Sequence, residues 1–443
     1  MFQRLKFIST QIIYDLRTGL LFRPTIIAVS LAIFAIVLTH MEERGDLYLS
    51  LTNWMPWAFK GETASAQIVI GTIAGSIMTI TTIIYSIMIM ALTMASMQFS
   101  PRILNSFMRD PVNQIILGIF TGTFIYCLLV LRTIRGEPSP FVPDTSISIG
   151  ILLALFCLGS LIYFIHYISL FIQLNHIVNH IAGDTEHVIK NVFPEKATQQ
   201  IKFYTEHLIP VSESEPVFSK YTGYIQLIDD KSLGKLAKRY AVKLFVKYPV
   251  GGFVIAGNPI VFVAPAGKTD KKFCQVCLEA FDIGPVRTMQ QDVGFGIRQI
   301  VDIALKAISP AVNDPTTATT CIDHLGRLLI LLAKRHISPW EIKDPFSGDV
   351  IVSLRKINFH DALELAFTQI RQYGKSDMAV TLAMLRVIKE IASSTGNTKY
   401  HEYLWHHVEL IEEVTKNYFS SKEVKDFIRL KEDIEKIMAL KLP

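Results

Sequence analysis

The chain has 443 residues, 50% of them hydrophobic, and a mean hydropathy of +0.34. That is too apolar for an ordinary soluble domain and indicates several membrane spans. Its 44 basic and 39 acidic residues leave a net charge of +5, and no basic block interleaves with aromatics, so no nucleic-acid partner is expected.

Residues 1–23 read as a cytoplasmic amphipathic segment. Arg4, Lys6, Arg17 and Arg23 stand against Asp15, while Phe2, Leu5, Ile8, Ile12 and Ile13 suit a membrane surface. The first apolar run ends at His40 and Glu42 with no small-residue cleavage site, so no cleaved signal is expected. Four transmembrane helices are predicted within residues 24–174, at about 24–41, 64–97, 112–131 and 147–171. Trp54, Trp57 and Phe59 in the first loop suit an interfacial belt. In the third span Gly118 and Gly122 have the i,i+4 spacing of close helix packing. The N-terminal segment and the loop after the second span are basic, the latter with Arg102 and Arg109 against Asp110. The other two loops are acidic or neutral, so the positive-inside rule predicts both termini in the cytoplasm.

The second span stands apart. No charge occurs from Thr63 to Pro101, a stretch about 58 Å long as a helix against a hydrocarbon core of about 30 Å. Ile70, Ile73, Ile77, Ile80, Ile84 and Ile87 fall on one face of the wheel. Thr72, Gly75, Ser76, Thr79, Thr82, Ser86 and Thr93 fall on the other. A small, hydroxyl-bearing face needs a second surface. Either it lines a wet pathway in a homo-oligomer, or it packs on the third and fourth spans through Gly71/Gly75 and Gly118/Gly122. No Asp or Glu lies within the spans, which weighs against proton-coupled transport.

From Gln173 the composition becomes that of soluble protein. A helical connector is predicted over 175–214, a small β-rich module over 215–266, and a helical domain over 267–443. Short strands with Pro/Gly turns, as at Pro249 to Gly252 and Gly257-Asn258-Pro259, suggest a small barrel or sandwich. The predicted fold class is thus an α-helical membrane protein with an α+β cytoplasmic region.

The densest polar segment runs from Asp292 to Arg327. Arg298, Asp302 and Lys306 share a helical face, and Asp314-Pro315 reads as an N-cap followed by Pro at the first helical position. Asp292, Arg298, Asp302, Asn313 and Asp314 are the candidate residues for a small ligand, an ion or a neighbouring subunit; a paired helix face and a capped helix account for much of the same pattern. Gly294 and Gly296 lack the third glycine of a phosphate loop. His176 and His180 lie one turn apart with Asp184 one turn further, a spacing that can ligate a transition metal and is also common on solvated helices; no metal is expected. His166 is a suspect by its nearness to the membrane. Cys274 and Cys277 form a lone CxxC without a second pair, and with Cys127, Cys157 and Cys321 they make no secreted disulfide framework. No GxSxG, HExxH or Walker motif occurs, so neither an enzyme nor a cofactor is expected.

The segments Phe295-Gly296-Ile297-Arg298-Gln299, Ser309-Pro310 and Asn313-Asp314-Pro315-Thr316-Thr317-Ala318 resemble the bacterial predicted membrane proteins grouped as domain of unknown function 2254. Gln98-Phe99-Ser100-Pro101-Arg102 and Gly223-Tyr224-Ile225-Gln226 look like that family too. The resemblance implies a multi-pass protein of the bacterial inner membrane and supplies no activity. Two functions are expected from the residues. One is an oligomeric channel-like or passive transport protein with a cytoplasmic regulatory region. The other is a membrane-anchored sensor or scaffold whose cytoplasmic part binds a ligand or partner.

Overall fold

The computed structural model describes residues 22–44, 63–98, 110–171, 174–193, 213–335, 337, 340–343, 350–415, 418 and 421–440. The amphipathic stretch up to residue 21, Trp54, Trp57, Phe59, and Phe99 through Arg109 lie outside them, as does most of the connector after residue 193. The chain divides into two compact units, Met1–Gln173 and Leu174–Pro443.

Four described helices of the first unit are long and apolar enough to cross a membrane. They are α1 (Phe22–Glu43), α2 (Thr63–Gln98), α3 (Pro111–Thr133) and α4 (Asp144–Phe171). The third is the axis: it packs against the other three, and 56% of its apolar window is buried against 28% for each neighbour. Gly118 and Gly122 make this possible, and their partner is α1. A Cβ at Gly118 would meet Ile27 Cδ1 at 2.8 Å and Pro24 Cα at 3.0 Å; one at Gly122 would meet Leu31 Cδ1 at 2.7 Å and Ala28 Cα at 3.2 Å. Only glycine lets the two backbones come this close.

Two carboxylates of this unit close helix ends. Asp110 caps α3 by accepting from Val112 N–H at 2.7 Å, and Pro111 fills the first turn, where no donor is needed. The Tyr167 hydroxyl of α4 donates to the other Asp110 oxygen. Glu42, near the end of α1, accepts from Thr145 N–H at 2.6 Å and from Ser146 N–H at 3.2 Å. It thereby satisfies the orphan donors that open α4.

The second unit begins with α5 (Leu174–Val192) and continues through β1 (Glu215–Phe218), β2 (Gly223–Ile228), α6 (Asp230–Tyr240), β3 (Lys243–Val246), β4 (Phe253–Val254) and β5 (Pro259–Ala264). Then follow α7 (Lys271–Leu278), β6 (Phe281–Gly284), α8 (Val293–Ala307), α9 (Pro315–Ala333), β7 (Trp340–Lys343) and β8 (Val350–Leu354). The last helices are α10 (Phe359–Tyr373), α11 (Met378–Ser394), α12 (Thr398–Thr415) and α13 (Ser421–Leu440). Among the described residues the strands form a five-stranded sheet in the order β1-β5-β3-β8-β7 and a three-stranded sheet in the order β4-β2-β6. β3 and β8 run parallel, with Leu244 opposite Val352; the other pairs are antiparallel. The sheets therefore draw on β6, β7 and β8 from beyond Ala266, inside the stretch expected to be helical throughout. Within that stretch α7 ends at Leu278, and Phe281 opens β6 against β2.

The helices of this unit bury their periodic apolar faces. α8 packs on α5, α9 and α10, with Ile297, Ile300, Val301 and Ala304 fully inside. A Cβ at Gly296 would collide with Thr185 Oγ1 of α5, so this glycine serves close helix packing. In the next layer His407 of α12 is buried, with its Nε2 3.2 Å from Glu364 Oε1 of α10.

Candidate functional site

In the second unit a cleft of about 670 Å³ opens between the Val250-Gly251-Gly252 turn, the Gln290 to Gly294 entry to α8, and the extended segment from Leu354 to Ile357. Ligand pockets commonly occupy about 300–1,000 Å³. At its wall Arg287 and Asp292 pair in a fork: Nε to Oδ2 at 2.7 Å and Nη2 to Oδ1 at 2.9 Å. The Asp292 side chain is 5% exposed and also caps α8, accepting from Phe295 N–H at 2.9 Å. One carboxylate therefore closes a helix end and neutralises a guanidinium.

Gly251 fits this pair closely. Its φ is +82°, and a Cβ there would collide with Asp292 Oδ2 and stand 2.8 Å from Arg287 Nη2. Both features require glycine. Gln291 ties the floor to β2: its side-chain oxygen accepts from Ile228 N–H at 3.1 Å and its amide donates to Ile228 O at 3.3 Å. Lys356 donates from Nζ to Val192 O at 3.1 Å and stands 5.6 Å from the Phe193 ring. Burial drives its ammonium down to about 8. The lining holds Arg287, Arg355 and Lys356 against Asp230, Asp292 and Asp361, a balanced set.

The sequence profile of the family described as Predicted membrane protein (DUF2254) matches residues 17–390. The chain belongs to this family. Uncharacterized proteins of Mycobacterium bovis and Mycobacterium tuberculosis are each 33% identical to it over 345 residues, which cover 76% of this chain and 65% of theirs. The chain thus spans less than two thirds of the length of the curated relatives it matches. No solved structure matches it.

Of the polar candidates in this DUF2254 protein, Asp292 alone lines the cleft. Arg298 and Asp302 pair along α8, Nε to Oδ1 at 3.0 Å. Asn313 takes a left-handed φ of 50° in the turn after α8, a conformation its short amide side chain tolerates. The Thr317 hydroxyl donates to Asp314 Oδ2 at 2.5 Å and Thr317 N–H caps α9 on Oδ1 at 3.1 Å, and these hydrogen bonds hold the carboxyl below the usual range. The five residues spread along α8 and into α9, so they do not form one constellation. Arg287, Gly251 and Lys356 escaped sequence reading. The signal available for Gly251 was the Gly-Gly turn; Arg287 and Lys356 sit in short irregular segments that carry none.

The hydroxyl-bearing face of α2 points away from the rest of its unit. Thr72, Gly75, Ser76, Thr79, Thr82, Ser86 and Thr93 are all exposed, and the isoleucine face, with Ile70, Ile77 and Ile84, is buried. Packing of the hydroxyl face on α3 and α4 is therefore not what the chain does. Thr79, Thr82, Ser86 and Thr93 donate to carbonyls four residues back at 2.8–3.1 Å. With Phe124 of α3 this face shapes a groove of about 610 Å³. His180 Nδ1 lies 3.1 Å from Asp184 Oδ2 on an exposed face of α5, and His176 is exposed beside them. Among the described residues no group of three His, Cys, Asp or Glu could hold a metal. Cys274 and Cys277 are unbridged helix residues, and burial pushes the Cys277 thiol up to about 12.

Proposed function

We propose that the protein is a non-enzymatic, membrane-anchored receptor whose soluble unit binds a small polar ligand of little net charge in the cleft beside Arg287 and Asp292. The observation that carries this reading is the cleft, ligand-sized and rimmed by three cations and three carboxylates, with a preorganised ion pair on one wall. Preorganised polar groups over an apolar floor suit recognition of a molecule with opposed polar ends. The test is thermal unfolding of the full chain in detergent against panels of zwitterionic, anionic and cationic metabolites. Ligand at about a hundred times its Kd stabilises by about 2.7 kcal/mol, enough to raise Tm measurably. Gln290→Trp should fill the cleft and remove the shift. A panel that gives no shift, or shifts that survive Gln290→Trp, would sink the reading.

A second reading is favoured by the outward hydroxyl face of α2. We propose that copies of the chain meet there as a homo-oligomer and that Thr72, Gly75, Ser76, Thr79, Thr82, Ser86 and Thr93 line a passive path regulated by the soluble unit. Cysteines at Thr79 and Ser86 should then react with water-soluble thiol reagents, and the protein should conduct in planar bilayers. Uniform protection with no conductance would remove the pore. The family resemblance supports a bacterial inner-membrane location, loop charges support cytoplasmic termini, and reporter fusions at each end test that orientation.

A further inference from the structure

Two turns, one at the end of β1 in the five-stranded sheet and one at β4 in the three-stranded sheet, present large apolar side chains to solvent. Phe218 is 52% exposed, Tyr221 67%, Phe253 50% and Ile255 53%. The two turns are neighbours in space as well as in exposure. Phe218 lies opposite Pro259 on β5, and Tyr224 lies opposite Phe253 across the β2–β4 pair, with their rings edge to face at 5.0 Å. A soluble surface seldom groups side chains of this size without a partner.

The backbone beneath them is closed. Ser219 N–H donates to Asn258 O at 2.9 Å, and Gly257 N–H donates back to Ser219 O at 2.9 Å. Ala256 N–H donates to Thr222 Oγ1 at 2.9 Å, and Asn258 N–H donates to Ile255 O at 3.0 Å. The Ser219 hydroxyl donates to Tyr221 O at 2.8 Å. Loops that enter a medium without water need satisfied amides, and those of Ser219, Ala256, Gly257 and Asn258 are paired. Charge in the same segments is of one sign. Residues 216–228 and 241–264 contain Lys220, Lys243 and Lys247 and no carboxylate. Lys220 lies between Phe218 and Tyr221, and Lys247 N–H donates to Ile260 O near the same end. Both lysines are exposed. Apolar side chains in front, with lysines and no carboxylate in the same two segments, is the composition of an interfacial anchor.

We propose that the Phe218–Tyr221 and Phe253–Ile255 turns form a bilayer-contacting surface that takes an anionic lipid headgroup layer. Tyr221, Phe253 and Ile255 enter the headgroup–acyl boundary, and Lys220 and Lys247 remain at the level of the lipid phosphates. The membrane helices belong to the same chain, so the contact is intramolecular in concentration terms and needs little intrinsic affinity. This surface is separate from the cleft, and its fate does not depend on what the cleft binds.

The test uses the full chain in vesicles. A fluorophore is placed at Tyr221→Cys or Ile255→Cys in a Cys274→Ser background, with Glu402→Cys on exposed α12 as the control position. Lipids brominated in their acyl chains are expected to quench the label at 221 and 255, and not at 402, in vesicles containing phosphatidylglycerol. Lys220→Glu with Lys247→Glu should lower the lipid-contacting fraction roughly tenfold, with Tm unchanged because both side chains are exposed. Quenching at 221 and 255 no greater than at 402 would overturn the proposal. So would quenching that is indifferent to headgroup charge, or labels equally shielded in detergent without lipid, a result that assigns the surface to a protein partner.

Discussion

α2 and α3 both carry glycines four residues apart within a long apolar helix. In α3 the pair Gly118/Gly122 lies against α1 with almost no room for a methyl group, whereas a Cβ at Gly71 or Gly75 of α2 would meet nothing within 4 Å. The bulkier face of α2 supplies its packing: Ile77, Ile84 and Met88 join Leu117 and Phe120 of α3 and Phe164 of α4 in one apolar cluster. Branched side chains fill the space between inclined helices, and small residues are required only where backbones touch. On α2 the hydroxyls of Thr79, Thr82, Ser86 and Thr93 bond to their own helix, which lets that face meet lipid, another copy or water at little cost. The same residue types therefore mean contact on one helix and availability on the other.

The contrast can be broken most directly at Gly122. Gly122→Leu should destabilise the membrane unit by about 3 kcal/mol, because the new side chain must displace Leu31 and Ala28. Gly75→Leu should change folding by less than about 0.5 kcal/mol. Denaturant unfolding of the protein in micelles checks both, and equal losses would end the distinction. An inward and an outward carboxylate of the second unit offer a parallel test. Asp292→Ala should cost about 2 kcal/mol, since it strands Arg287 and uncaps α8 while the guanidinium keeps some access to water. Asp314→Ala loses only a helix cap, about 1 kcal/mol.

Histidines sharpen the comparison through pH. Burial drives His407 down to about 4, although the neighbouring Glu364 pulls it the other way. An unfolded histidine titrates near 6.5, so this group's contribution is intact above about 6.5 and is lost as pH falls toward about 4. His407→Leu should flatten that acid limb in a plot of Tm against pH, whereas exposed His176→Ala should leave it in place. The smallest effect belongs to Thr82→Val. It removes an exposed hydroxyl that bonds its own backbone, so folding should move by less than about 0.5 kcal/mol. Any change in conductance or in oligomer size would then report on the outward face itself.

Hydropathy made the four spans legible, because a bilayer-length apolar run has few other uses. The orientation of α2 was not legible: both of its faces lack charge, and the choice depends on which shapes α3 and α4 offer. In the second unit β1 to β5 and α6 show in local patterning. β6, β7 and β8 do not, since strands of four or five residues take their meaning from partners far along the chain. The site was partly legible for a related reason. Asp292 is legible as a member of the densest polar segment, but its role as the cap of α8 is not. Its pairing with Arg287 and its fit against Gly251 exist only after the β2–β6 ladder and the turn before β4 are in place.

The parallel pairing of β3 with β8 has a consequence for biosynthesis. Leu244 must wait for Val352, and at roughly 5–20 residues per second the ribosome takes on the order of 5–20 s to deliver it. Throughout that interval one edge of β3 carries unpaired amides and carbonyls, the kind of edge that recruits foreign strands. A nascent chain halted shortly after Ala266 would display it indefinitely. The half-made second unit is thus a natural client for chaperones, and deletions between α9 and β8 should appear as inclusion bodies.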